Sequence, residues 1–279
     1  MQKKPFLLTL ILSVVFSSAF TQYYYRDLIL TRQTFGLFQR LKEAGIKSVS
    51  LSSFEGNGQP TEGFKGGQEI NNNYTQMNTS LESVVGGASL LISYFDSEGL
   101  LVKTIDTTDG ASSLTEYFYS PKKQVLRIVN TATSKGQATE KEEHIWTYGT
   151  EGKPVKMFRV KNNTDTTLVS FILDEQGNIA EEKSVRKGFS LPSIYYYHDN
   201  EHRLTDIVTY NEKARRLLPV YIFDYNDMGL INSMLVVPEG SSDYQKWVYS
   251  YNDDGLKTEE KGYNKKKELV GRIEYRYDK

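Results

Sequence analysis

Apolar and polar residues alternate with a period of two over much of this chain. Trp247, Tyr249 and Tyr251 alternate with Lys246 and smaller or polar neighbours, and the segments 221–225 and 273–277 repeat the pattern. Successive side chains of a β-strand point to opposite faces, so this alternation predicts antiparallel strands with one covered face and one wetter face.

The alternating segments end in a turn sequence that recurs every 24 to 29 residues. An aromatic or aliphatic anchor is followed by two or three polar residues and then by glycine, most clearly at 225–230 and 251–256. The anchors are Phe95, Tyr119, Tyr148, Leu173, His198, Tyr225, Tyr251 and Tyr277. A fixed period of this size indicates a repeat architecture in which each unit buries its apolar face against its neighbours.

The glycine position of each copy predicts a tight hairpin, because glycine adopts a positive φ at no steric cost. It is filled by Gly99, Gly152, Gly177, Gly229 and Gly255. Lys123 and His202 replace glycine in two copies. Further copies are expected at Phe54 and, in degenerate form, around Tyr74.

The sequence before the repeats predicts one short amphipathic helix. Apolar residues recur at helical spacing from about Leu30 to Ala44, and Gly45 is a natural stop. We expect this helix to pack over the first strands and cover an open sheet edge, with a membrane-surface or partner-binding helix as the alternative. Residues 45–87 are rich in turn and loop residues and contain few anchors.

Two strands per repeat give an all-β fold of roughly 16 to 20 strands. The prediction is a long antiparallel meander of hairpin repeats, twisted or coiled into an open sheet, over residues 46–279. Residues 20–45 form the N-terminal segment with the helix. The charged last hairpin, 257–268, is expected to cap the final sheet edge, with a lysine-rich docking site for an acidic surface as the alternative.

The first 19 residues are typical of a secretory signal peptide. Lys3 and Lys4 precede an apolar run at 6–16, and Ser17-Ser18-Ala19 offers a cleavage site. Cleavage after Thr21 is the alternative. The chain contains no cysteine, which excludes disulfides and a lipid anchor on cysteine. An exported bacterial protein of the periplasm, cell surface or exterior is expected.

Composition argues against several functions. A net charge of −1 gives no reason to expect a nucleic-acid partner, since such binding usually rests on a basic surface. His198 and His202 are four residues apart, but their turn context disfavours zinc. Residues 224–229 begin like a calcium loop, but Met228 occupies the fifth position and no glutamate follows at the twelfth. No catalytic constellation is found. We therefore expect no enzyme activity, no catalytic or metal-binding residues and no cofactor.

Tyrosine is abundant, with 20 residues, and offers the remaining functional hypothesis. The run 195–197 places aromatic rings on both faces of one strand, where an outward ring could stack on a glycan or peptide. Sheets also use aromatic ladders for stability alone, so a structural role for these rings stays open.

The turn units resemble the YD repeats of the Rhs family. The resemblance is carried by YNDDGL at 251–256, YNDMGL at 225–230 and LDEQGNI at 173–179, and it covers about residues 95–277. It implies a continuous β-sheet that winds into a spiral or shell, here as a short exported member without a toxin domain. MORN-like repeats are a second resemblance, but their glycine-plus-tryptophan signature is missing.

The expected function is a non-enzymatic scaffold or binding module of the envelope, with a protein or glycan partner. Alternatives are a carrier that binds a glycan or apolar ligand in a concave face, and a hydrolase with carboxylates across strands.

Overall fold

The computed structural model describes residues 23–84, 86–108, 110–134, 139–238 and 243–279. The predicted signal peptide, 1–19, lies outside them. The described residues form one helix and nineteen strands: α1 (Arg26–Glu43), β1 (Ser48–Glu55), β2 (Lys65–Ile70), β3 (Gln76–Ser83), β4 (Gly87–Phe95), β5 (Leu101–Thr108), β6 (Ala111–Tyr119), β7 (Val125–Ser134), β8 (Glu140–Tyr148), β9 (Pro154–Lys161), β10 (Asp165–Leu173), β11 (Ile179–Arg186), β12 (Phe189–Ser190), β13 (Ile194–His198), β14 (Leu204–Asn211), β15 (Arg216–Tyr225), β16 (Ile231–Val236), β17 (Gln245–Tyr251), β18 (Lys257–Asn264) and β19 (Leu269–Asp278).

The sheet is a closed antiparallel barrel, and the prediction of an open, twisted or coiled sheet is wrong. Consecutive strands pair along the chain, and β1 pairs with both β2 and β19. Eighteen of the described strands complete the ring. The two-residue strand β12 pairs only with β11, which also pairs with β13.

Closure depends on the segment whose sequence is rich in turn and loop residues. Residues 45–87 contain β1, β2 and β3, and β1 runs beside β19 in a register that joins Ser48 to Asp278 and Leu51 to Tyr275. A Cβ at Gly67 would lie 2.9 Å from the carbonyl oxygen of Val49, so glycine permits this close approach. The last hairpin therefore forms part of the closed ring, and the prediction that it caps a sheet edge is wrong.

The connections alternate between the two ends of the barrel because every pairing is antiparallel. One end, here called the turn rim, carries the connections 71–75, 96–100, 120–124, 149–153, 174–178, 199–203, 226–230 and 252–256. The opposite end, the loop rim, includes 56–64, 187–193, 212–215 and 265–268. The degenerate copy at Tyr74 lies on the turn rim. The copy expected at Phe54 leads into a loop-rim connection instead.

The repeated turns share one backbone geometry. The five glycines of the repeat have φ between +69° and +84°, and Lys123 and His202 adopt +61° and +62° in the same position. In most copies the residue after the anchor fixes the turn through its side chain. Asn226 Oδ1, for example, accepts hydrogen bonds from the backbone N–H groups of Met228 and Leu230 at 3.1 and 2.9 Å. This Asx turn explains why Asp or Asn follows most anchors.

The tyrosine anchors join neighbouring repeats. Each hydroxyl donates to the backbone carbonyl six residues after the preceding anchor, at 2.6 to 2.8 Å. The pairs are Tyr119 with Leu101, Tyr148 with Val125, Tyr225 with Leu204, Tyr251 with Ile231, and Tyr277 with Lys257. Leu173, a further anchor, has no hydroxyl to donate. The bonds stabilise the turn rim, where a carbonyl beyond a turn would otherwise need water.

Helix α1 begins at Arg26 rather than near Leu30 and packs against the inner face of the barrel. It covers no sheet edge, because the ring has none. Phe38 and Leu41 are fully buried, and the Phe38 ring stacks on Phe95 at 3.6 Å between centroids. One apolar cluster joins this end of the helix to β1–β5 and β19, and a second joins Tyr24 and its neighbours to β7–β14.

Several ion pairs of the sheet are exposed to solvent. They include Lys65 with Glu82 and Arg276 with Asp278. Exposed pairs of this kind add little stability, so the apolar contacts between helix and strands hold the fold together. No described segment is a helix with the length and hydropathy needed to span a bilayer.

Candidate functional site

A cavity of about 530 Å³ opens at the turn rim, between helix α1 and the repeated turns. The helix contributes Tyr25, Leu28, Thr31, Arg32 and Phe35 to its lining. The strand ends and turns contribute Leu100, Tyr119, Lys123, Gln124, Val125, Tyr148, Glu151, Gly152, Lys153, Pro154, Gly177, Asn178, Ile179, His198 and His202. Its volume is in the range of small-molecule sites.

The repeat geometry positions the cavity wall. Tyr119 and Tyr148 are held by their hydroxyl bonds to Leu101 and Val125, which leaves their rings along the wall. Neighbouring turns are tied together where Gln124 Nε2 donates to the carbonyl of Gly152 at 2.9 Å. These contacts fix the wall before any ligand arrives.

The lining carries more positive than negative charge. Arg32, Lys123 and Lys153 face a single carboxylate, Glu151. Lys123 also contacts Glu98 at 3.3 Å, a pair in which both side chains are about half exposed. Burial lowers the pKa of His198, so this imidazole is neutral near pH 7. The three cations therefore favour an anionic occupant.

A buried network anchors the start of the helix beside the cavity. His144 of β8 contacts Asp27 of the helix at 2.7 Å and Glu142 at 3.0 Å. Arg159 of β9 donates to Glu142 at 2.6 Å. Burial alone would disfavour the imidazolium, but the two carboxylates raise the pKa of His144 to about 9. Although burial opposes it, the contacts with His144 and Arg159 lower the pKa of Glu142 to about 2.

Glu182 of β11 binds the backbone just before the helix. Its carboxylate accepts the N–H groups of Tyr24 and Tyr25 at 3.0 to 3.1 Å and the Tyr196 hydroxyl at 2.8 Å. Burial raises the pKa of Glu182 to about 7, against these three donors. A carboxylate at this point satisfies N–H groups that have no partner within the helix.

These groups hold the helix in place and form no recognisable reaction centre. Both ring nitrogens of His144 contact carboxylates, so neither faces a hydroxyl nucleophile of the kind a catalytic base activates. Among the described residues, no cluster of three or more His, Asp and Glu has the arrangement to hold a metal ion.

The predicted repeat positions separate into groups. Tyr119, Tyr148, Gly152 and Gly177 line the cavity. Phe95 and Gly99 lie beside Phe38 of the helix, and a Cβ at Gly255 would lie 3.0 Å from Arg40. Outside the lining are Tyr225, Gly229, Tyr251, Gly255 and Tyr277.

Sequence reasoning missed the charged members of the site. Arg32 and Lys153 resemble ordinary solvated residues, since one lies on the polar side of the helix and the other follows a turn. Asp27 precedes the expected helix start, and no local pattern connects it to His144, which is 117 residues away. Only the closed sheet brings these groups together.

Comparison with known proteins gives remote similarity. No protein-family model matches the chain, and no curated protein matches it. The crystal structure of TcdB2-TccC3-Cdc42 is similar over 77% of this chain, with 13% identity and a TM-score of 0.33, and this chain spans 12% of the length of that one. A porin-like protein from Bacteroides uniformis gives 8% identity and a TM-score of 0.41 over 84% of this chain and 98% of that one. Its counterpart from Bacteroides vulgatus gives 10% and 0.26 over the same shares. All three TM-scores lie below 0.5, so no functional argument rests on them, and membership of the Rhs family stays a resemblance of motifs.

Proposed function

We propose that this chain is a non-enzymatic, exported binding protein of the bacterial envelope or exterior, and that it holds a small anionic glycan in the cavity at the turn rim. The observation that carries the proposal is the cavity itself. Its volume, its aromatic wall and its excess of cations occur together at one end of the barrel.

The lining matches the chemistry of a sugar acid. Tyr25, Tyr119 and Tyr148 offer aromatic surface for the C–H face of a sugar ring. Arg32 and Lys153 can pair with a carboxylate, and the guanidinium can do so through two parallel hydrogen bonds. Binding in a partly enclosed site strengthens such pairs relative to open water.

Calorimetric titration tests the proposal with matched ligands. Digalacturonate should bind at least tenfold more tightly than the neutral disaccharide galactobiose. The double variant Arg32→Gln with Lys153→Gln should lose this preference. Lys42→Gln with Lys156→Gln, which removes two exposed cations outside the lining, should keep it.

The scaffold interpretation gives a different result in the same experiment. A protein whose turn rim only supports the fold would bind neither disaccharide, and the two double variants would not differ. If the charged and the neutral sugar bound with equal affinity, the cavity would still be a glycan site, but the cations would have no role in binding.

A further inference from the structure

The loop rim combines exposed apolar side chains with basic residues on two neighbouring hairpins. Ile194 pairs with Thr209, so the connection 187–193, which leads into β13, lies next to the connection 212–215, which leaves β14. Phe189 is 76% exposed, and Leu191 and Leu217 are 41% and 44% exposed. Large apolar residues this exposed, close together, are typical of an interaction site.

The charges around these side chains are mostly positive. Exposed positions within 187–193 and 212–217 hold Lys187, Lys213, Arg215 and Arg216 against one carboxylate, Glu212. The hairpin 265–268 on the same rim adds Lys266 and Lys267 together with Glu268, while Lys265 pairs with Asp243 at 3.6 Å. The chain as a whole has a net charge of −1, so the basic residues of 187–193 and 212–217 are a local concentration.

Backbone geometry supports a role for the cations at the hairpin tips. Lys187, Arg215 and Lys267 have φ of +50°, +53° and +61°. Positive φ suits glycine, asparagine or aspartate, and it strains the backbone of a residue with a long side chain. Three loop-rim tips therefore hold a basic residue where glycine would be less strained.

From this arrangement we infer that the loop rim docks on an anionic lipid surface. Basic side chains attract acidic headgroups, while neighbouring apolar side chains enter the boundary between headgroups and acyl chains. Phe189 and Leu191 lie exposed beside these cations, a combination that suits the headgroup boundary of a lipid surface. An acidic protein is the other occupant, which the test below distinguishes. Docking through the loop rim also leaves the turn-rim cavity, at the opposite end of the barrel, open to ligand.

Vesicle co-sedimentation of the full chain tests the inference. Vesicles of phosphatidylcholine with 30% phosphatidylglycerol are compared with pure phosphatidylcholine at low and high salt. Pure phosphatidylcholine reports any binding by the apolar segment 6–16. The acidic vesicles should bind at least tenfold more protein at low salt, and high salt should weaken this binding because it screens exposed charges.

Two variants and a control identify the surface. Lys213→Glu, Arg215→Glu and Arg216→Glu together should abolish the preference for acidic vesicles. Phe189→Ser with Leu191→Ser should lower the binding that remains at high salt severalfold. The control variant combines Lys156→Glu, Lys183→Glu and Lys246→Glu on the outer strand faces. It changes the net charge by the same amount as the first variant and should leave binding unchanged. Circular dichroism checks that each variant folds.

Several outcomes would overturn the inference. Equal sedimentation with both vesicle types would do so, as would loss of binding in the control variant or unchanged binding in either loop-rim variant. Binding to an acidic polypeptide such as polyglutamate, without binding to acidic vesicles, would assign the surface to a protein partner instead.

Discussion

The Tyr251 hydroxyl donates a hydrogen bond to the backbone carbonyl of Ile231, 20 residues earlier, at 2.8 Å. Ile231 begins the strand after the preceding turn, so the bond ties one repeat to the next. Four other tyrosine anchors make the same bond. The recurrence of tyrosine thus has a local cause, because its ring packs inward while its hydroxyl reaches a carbonyl at the turn rim.

Removal of this hydroxyl should weaken the barrel measurably. Tyr251→Phe leaves the Ile231 carbonyl without its donor and should cost about 1 kcal/mol, while Tyr251→Ala should cost about 3 kcal/mol through lost packing. Chemical denaturation measures both. Tyr197→Phe is the matched control, because Tyr197 is 51% exposed. An equal effect at the two tyrosines would show that the bond to Ile231 contributes nothing.

The free energy of unfolding should change in opposite directions when a side chain is added at the glycine position of a turn and when one is removed there. Gly255 has φ +69°, and a Cβ there would lie 3.0 Å from Arg40 Cδ, so Gly255→Val should cost more than about 2 kcal/mol. Lys123 adopts φ +61° in the equivalent position, so Lys123→Gly should stabilise by about 0.5 kcal/mol. Thermal melts would contradict this account if Lys123→Gly destabilised as strongly as Gly255→Val.

Stability should fall as pH rises above neutrality. The pKa of His144 is raised from 6.5 to about 9 in the folded protein, so the folded state holds a proton that the unfolded state releases between these values. The proton on His144 contributes its full stabilisation of the folded state below pH 6.5, and this stabilisation is lost as the pH approaches 9. Between pH 7.5 and 9.5 the loss should be on the order of 2 kcal/mol.

Urea unfolding at pH 7.5, 8.5 and 9.5 measures this dependence. Between pH 7.5 and 8.5 the pH lies above the pKa of about 7 for Glu182 and well below the usual tyrosine pKa of 10, so His144 dominates the slope there. At pH 9.5 the unfolded state also begins to release protons from tyrosines whose pKa burial raises in the folded protein, which adds to the loss. His144→Gln should be less stable at pH 7.5 and show a flatter slope. A slope identical to that of the unmodified chain would exclude His144 as its source.

Closure of the ring can be tested with an engineered disulfide. Ser50 pairs with Arg276 across β1 and β19, and paired residues in antiparallel strands have Cα atoms about 4.5 to 5.5 Å apart, within reach of a disulfide. Because the chain has no cysteine, Ser50→Cys with Arg276→Cys introduces the only two thiols. Thiol titration after mild oxidation should find both consumed within the monomer. Ser50→Cys with Lys246→Cys places the second thiol on β17, beyond β18 and β19, and should leave both free.

The strands and turns of the repeats could be read from the sequence because their determinants are local. Alternation fixes which side of a strand is covered, and the positive φ of Gly229 or Gly255 reflects a preference that a single residue carries. The helix was also visible from its periodicity, although it begins about four residues earlier than expected. Sequence spacing within one hairpin, or within the helix itself, was sufficient to predict each of these elements.

Closure and the site could not be predicted, because they depend on pairs distant in sequence. Strand β1 is rich in serine and β2 contains Gly66 and Gly67, so neither has the apolar signature of a strand. Their partners decide their structure, since β1 lies between β2 and β19. The cavity follows from closure, because only a ring places Arg32 of the helix opposite Lys153 of a distant turn.

The pairing of β1 with β19 also sets an order for biogenesis. Its two members are the first and last strands in the described chain, so the ring cannot complete until β19 has been synthesised and released. Until then the growing sheet has two free margins that can recruit strands from other molecules. Assembly of the ring around the helix as soon as β19 is available would confine that hazard to one brief step.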